Sequence, residues 1–74
     1  MSRLPNVTAR EVVVVLLKAG FEERNARSSH RRFTHPVTKR VTLVAMHPGD
    51  LERGLLKEIL KQAGLTADEF LEFL

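Results

Sequence analysis

The sequence predicts an α+β domain, with two helices and a short C-terminal helix on one face of a three-stranded antiparallel sheet. Three observations lead there. Apolar stripes at helical spacing stand near both ends of the chain, alternating residues fill its middle, and two of the three helical segments open on a capping box. A length of 74 residues allows one domain, 1–74, with a single core and no separate substrate domain. A domain of this size buries only about 60% of its unfolded-chain surface, so binding to a partner is expected.

Thr8-Ala9-Arg10-Glu11 has the form of a capping box and starts the first helix. Val12, Val13, Leu16 and Leu17 follow at helical spacing, and Ala19-Gly20 ends it, glycine being free to take positive φ. Four consecutive valines favour a strand instead, but the signals at both ends decide for helix. From Phe21 to Ala45 the period shortens to that of strands: Phe21 to Arg24, Ser29 to His35, and Arg40 to Ala45, with Pro36-Val37-Thr38-Lys39 as the turn between the last two. On the second strand Phe33 shares a face with Arg31 and His35; if Phe33 faces the core, His30, Arg32 and Thr34 point away. On the third, Val41, Leu43 and Ala45 share one face and Thr42 and Val44 the other.

After a loop from Met46 to Gly54, the residues Leu55, Leu56, Ile59, Leu60 and Ala63 form the stripe of a second helix, closed by Gly64. Thr66-Ala67-Asp68-Glu69 is a second capping box, opening a short helix whose Phe70 packs into the core. The resulting order is helix, three strands, helix, short helix, which is the architecture of double-stranded-RNA-binding domains.

Absence of cysteine removes disulfides, thiolate zinc sites and a thiol nucleophile, and fits a reducing compartment. The longest unbroken apolar run, Val12 to Leu17, is far short of the roughly 20 residues of a membrane span. With no secretory signal pattern at the N-terminus, a soluble, cytoplasmic protein is expected. Net charge is +3, but six of the twelve basic residues (Arg24, Arg27, Arg31, Arg32, Lys39 and Arg40) fall in a central block with no acidic residue between Arg24 and Gly49. Such a block is an electrostatic footprint for polyanions; a solubilising strand face is the plainer alternative.

Several segments together resemble the HicA toxin family of bacterial toxin-antitoxin pairs. They are Leu17-Lys18-Ala19-Gly20-Phe21-Glu22, Ser29-His30, His35-Pro36, Arg40-Val41-Thr42, His47-Pro48-Gly49 and the run from Gly54-Leu55-Leu56 through Ile59-Leu60-Lys61-Gln62-Ala63-Gly64-Leu65. The resemblance implies a double-stranded-RNA-binding-like fold, ribosome-independent mRNA cleavage, and a HicB-type antitoxin that covers the active site in a hetero-oligomer. It also implies that His30, in the position of the histidine of a Gly-Ser-His motif, is catalytic. This chain departs from the family pattern in having Ser28 for the motif glycine and Ala45 for a proline before the loop histidine.

Histidine and arginine suit that chemistry. RNA carries its own nucleophile, the 2′-hydroxyl, so a ribonuclease has only to move protons and stabilise a charged phosphorane, which requires neither metal nor cofactor. An imidazole exchanges protons near neutral pH, and guanidinium groups pair with phosphate oxygens in a two-pronged geometry. Arg27, Arg31 and Arg32, with Ser29, are accordingly the candidate RNA-binding residues around His30. No metal site is expected, because His30 and His35 face opposite sides of one strand and no carboxylate cluster completes a ligand set. His35 reads as a turn residue before Pro36; His47 is either an exposed loop residue or a second proton-transfer group. The rival functional readings are a non-catalytic RNA-binding module of the same fold and, less favoured by the charge pattern, an adaptor that binds only protein.

Overall fold

The computed structural model describes residues 4–27 and 30–74, and the side chains of 25–27 are outside the description. The elements are α1 (Ala9–Lys18), β1 (Glu22–Arg27), β2 (His30–Thr34), β3 (Val41–Ala45), α2 (Arg53–Ala63) and α3 (Ala67–Phe73). The strands form one antiparallel sheet in the order β1-β2-β3. The α+β class, the element order and the antiparallel sheet are those expected from the sequence.

Both capping boxes are formed. The Glu11 backbone N–H donates to Thr8 Oγ1 while the Thr8 N–H donates to Glu11 Oε1, and Thr66 and Glu69 repeat the exchange at α3. Four valines remain helical in α1 because three of them, Val12, Val13 and Val15, are buried, so packing outweighs their β-propensity. The helix ends with Gly20 at φ 99° and the Phe21 N–H donating back to the Leu16 carbonyl at 2.9 Å. Phe21 thus belongs to the helix stop, and β1 starts one residue later and runs three residues further than alternation alone indicated, because Arg27 pairs with His30. The register shifts between Arg24 and Arg27. The other strands are each shorter than expected, since the hairpin takes His35 and Arg40. The His35 N–H donates to the Arg40 carbonyl at 2.9 Å, and the Lys39 N–H to the His35 carbonyl at 3.0 Å.

Helices α1 and α2 cover the face of the sheet that carries Phe33, Thr42 and Val44, and α3 packs on α1. Phe33, Phe70, Leu16, Val12 and Val44 are fully buried there. Thr42, the one buried polar residue among those described, donates its hydroxyl to Gln62 Oε1 at 2.7 Å and so ties β3 to α2. Among the described residues no helix covers the opposite face of the sheet, which carries His30.

Candidate active site on the open face of the sheet

Alternation along β2 places His30 and Arg32 on the open side, both exposed, while Phe33 between Arg32 and Thr34 faces the helices. Cross-strand register sets their neighbours. His30 stands opposite Ala45, and Arg32 lies between Arg24 of β1 and Leu43 of β3. Arg24 is exposed and makes a 3.3 Å ion pair with Glu22, two residues along the same strand face. Strands β1 to β3 therefore present on this face the His30 imidazole, the Arg32 guanidinium and the Arg24–Glu22 ion pair beside a small apolar patch of Val41 and Leu43.

The third strand ends at Ala45, and the chain turns at Met46. His47 nevertheless lies beside His30, the two imidazoles standing in a T-shaped arrangement with ring centroids 6.5 Å apart and planes at 84°. The loop that holds His47 is anchored at two points. Its backbone N–H donates to the Ala45 carbonyl at 3.1 Å, and further on Asp50 bridges to Thr8 while the Leu51 N–H donates to the Val7 carbonyl at 2.7 Å. Gly49, at φ 85°, makes the reversal between these anchors. His47 lines a hollow of about 430 Å³ that includes Thr8 and Arg10. It also lines a smaller one of about 130 Å³ that includes Asp50 and Glu52.

The sheet divides the central basic block. Arg31, on the helix side of β2, is held by Glu23, its Nε donating to the carboxylate at 2.6 Å and its NH2 group donating to the second oxygen. Arg40 lies against the C-terminal end of α2, where an added Cβ on Gly64 would fall 2.6 Å from its Nε, and a cation there meets the negative end of the helix dipole. Arg32 is thus the sequence-predicted arginine placed on the same face as His30; Arg31 is on the other. Ser28 and Ser29 lie outside the described residues, as does the Arg27 side chain, although the Arg27 backbone pairs with His30. His35 is a turn residue, its Nδ1 accepting from the backbone N–H groups of Val37 and Thr38 at 3.1 and 3.2 Å, and its ring meets Phe21 edge-on at 5.1 Å. Among the described residues no three His, Cys, Asp or Glu side chains group as metal ligands, and no helix is long and apolar enough to cross a membrane.

The Arg31 hydrogen bonds hold the Glu23 carboxyl below its ordinary pKa, against an opposing push from desolvation, and the Coulombic attraction of the same guanidinium adds to the lowering. A depressed carboxyl contributes stability that is present above its unfolded-state pKa of about 4.3 and is lost as pH falls through the lower folded-state value. Between pH 5 and the acid limit of the fold, the thermal midpoint of the wild type is expected to drop more steeply than that of Glu23→Gln. The pair is partly open to solvent, so the difference is modest, and parallel midpoints would remove the linkage.

The sequence counted Arg24 only within the basic block and left His47 open between an exposed loop residue and a second proton-transfer group; the sheet makes Arg24 the cross-strand neighbour of Arg32, and the loop brings His47 beside His30.

No curated protein matches the chain. A family described as the HicA toxin of bacterial toxin-antitoxin systems matches residues 9–65, a span that begins with α1, takes in the whole sheet with His30 and His47, and ends just after α2. With more than half of its 74 residues matched and the fold in agreement, the chain belongs to the HicA toxin family.

Proposed function

We propose that this toxin is a metal-independent endoribonuclease that cleaves mRNA in the cytoplasm, with His30 transferring protons at the scissile phosphate and Arg32 binding that phosphate. The observation that carries this reading is the exposed His30 beside Arg32 on a sheet face that no helix among the described residues covers, within reach of an extended polyanion. A guanidinium two residues along the same strand face suits the charge that builds on phosphorus, and the 2′-hydroxyl of RNA makes a protein nucleophile unnecessary. Arg24 stands next to Arg32 on β1, where it shares its charge with Glu22. Ser29 and Arg27 flank His30 in the chain and are assigned to phosphate contacts. Arg31 joins them only by giving up Glu23. A HicB-type antitoxin seated on this open face would block RNA and shield Val41 and Leu43 together.

The test is incubation of the purified toxin with an mRNA transcript in the presence of a chelator, followed on a denaturing gel. Endonucleolytic fragments are expected, fading as salt is raised because phosphate contacts carry the binding. Salt-sensitive binding with no fragment would instead establish a non-catalytic RNA-binding module. Fragments that appear only after a divalent metal is added would overturn the metal-independent mechanism.

A further inference from the structure

We propose that His47 is the second proton-transfer group of this site, serving one oxygen of the scissile linkage while His30 serves the other. The proposal rests on the ribonuclease reading above and extends it from one histidine to two. Its ground is the juxtaposition of the rings, with centroids 6.5 Å apart and planes at 84°. A proton-transfer group has to come within about 2.6–3.2 Å of the oxygen it serves, and two imidazoles at this separation can each reach a different oxygen of one phosphate placed over them.

The placement of His47 follows from two features of the chain. The tight turn at Met46, where the His47 N–H donates to the Ala45 carbonyl at 3.1 Å, leaves its ring beside that of His30, and the Thr8–Asp50 bridge with the Leu51–Val7 hydrogen bond holds the loop there. Among the described residues neither imidazole has a hydrogen-bonded carboxylate that would explain it as part of a structural network. His47 is exposed and its hollow is large enough to accept part of a nucleotide, with Arg10 on the same wall.

The reaction balances with these two groups alone. One imidazole takes the proton of the 2′-hydroxyl as that oxygen bonds to phosphorus; the bond from phosphorus to the 5′-oxygen breaks, and the departing oxygen takes a proton from the other imidazole. The products are a strand ending in a 2′,3′-cyclic phosphate and a strand beginning with a 5′-hydroxyl. The two imidazoles have then exchanged protonation states and are reset through solvent.

The test compares the wild type, His30→Ala, His47→Ala and His47→Gln on two substrates: an ordinary RNA, and the same RNA with sulfur replacing the departing 5′-oxygen. Sulfur leaves without being protonated, so it relieves the loss of an acid but not of a base. On ordinary RNA both His47 variants are expected to cleave roughly 10²-fold or more slowly than the wild type, the usual contribution of a positioned proton-transfer group. On the sulfur substrate one of the two alanine variants, and not the other, is expected to recover, since the histidines divide the roles. Wild-type cleavage by the His47 variants, or recovery of neither alanine variant, overturns the proposal. The underlying ribonuclease reading fails on a different result, an intact RNA after incubation with the wild type. Thermal melts confirm that each variant is folded, and the glutamine variant keeps a polar side chain in the loop.

Discussion

Replacing His30 with alanine is expected to slow RNA cleavage roughly 10²- to 10⁴-fold, the range lost with a positioned acid or base. The fold should survive intact. His30 is exposed on the open face, its backbone pairs with Ala45 and Arg27 whatever the side chain, and substitutions at such positions usually change stability by less than about 0.5 kcal/mol. Arg32 remains on the same face to bind phosphate, so affinity for RNA should persist while turnover falls. In a bacterial host the variant should therefore be tolerated on induction where the parent arrests growth. His35→Ala is the informative control. His35 caps its own turn and packs on Phe21, away from the site, so that variant should lose some stability and keep its cleavage rate per folded molecule. Equal mRNA cleavage by the wild type and His30→Ala would remove His30 from the mechanism.

The helices were legible because each carries redundant local signals. Thr8 with Glu11, and Thr66 with Glu69, mark starts through contacts three residues apart, and Gly20 and Gly64 mark stops through a φ that other residues resist. The faces of β2 were legible for a similar reason, since burial of Phe33 fixes the direction of every neighbour at period two. Strand ends were less legible, because a strand extends as far as its partner pairs with it, and Arg27 gains its partner only when His30 is brought alongside. The division of the basic block was not legible either. Arg31 meets Glu23 across a strand pair, at a sequence distance of eight, and the alignment that joins them depends on the register between β1 and β2. Charge counted along the chain treats Arg31, Arg32 and Arg40 as one patch, whereas the sheet sends Arg32 to the open face and the other two toward the helices and their ends. His30 stands out in the sequence by its type and its neighbours. The pairing that brings His47 to it is a property of the closed hairpin and the anchored loop.

The largest expected effect on stability comes from Phe33→Ala. Phe33 is wholly buried beneath α1 and α2, and its alanine replacement both returns a smaller apolar side chain to the core and leaves a cavity, together costing about 3–5 kcal/mol. At about 0.05–0.15 kcal/mol per residue, a 74-residue domain has a total stability of only roughly 4–11 kcal/mol, so this one change removes a large part of it. Urea denaturation followed by circular dichroism should show the midpoint falling sharply, with much of the variant unfolded at the growth temperature of a bacterial host. The effect on function should then take a different form from that of His30→Ala. Phe33 faces the helices while His30 and Arg32 face outward, so molecules that remain folded keep the open face as it was. Cooling Phe33→Ala until it folds should restore most of its RNA cleavage, and cooling His30→Ala should restore none. If folded Phe33→Ala stays inactive, the core residue also positions the open face, and the separation of packing from chemistry across β2 is lost.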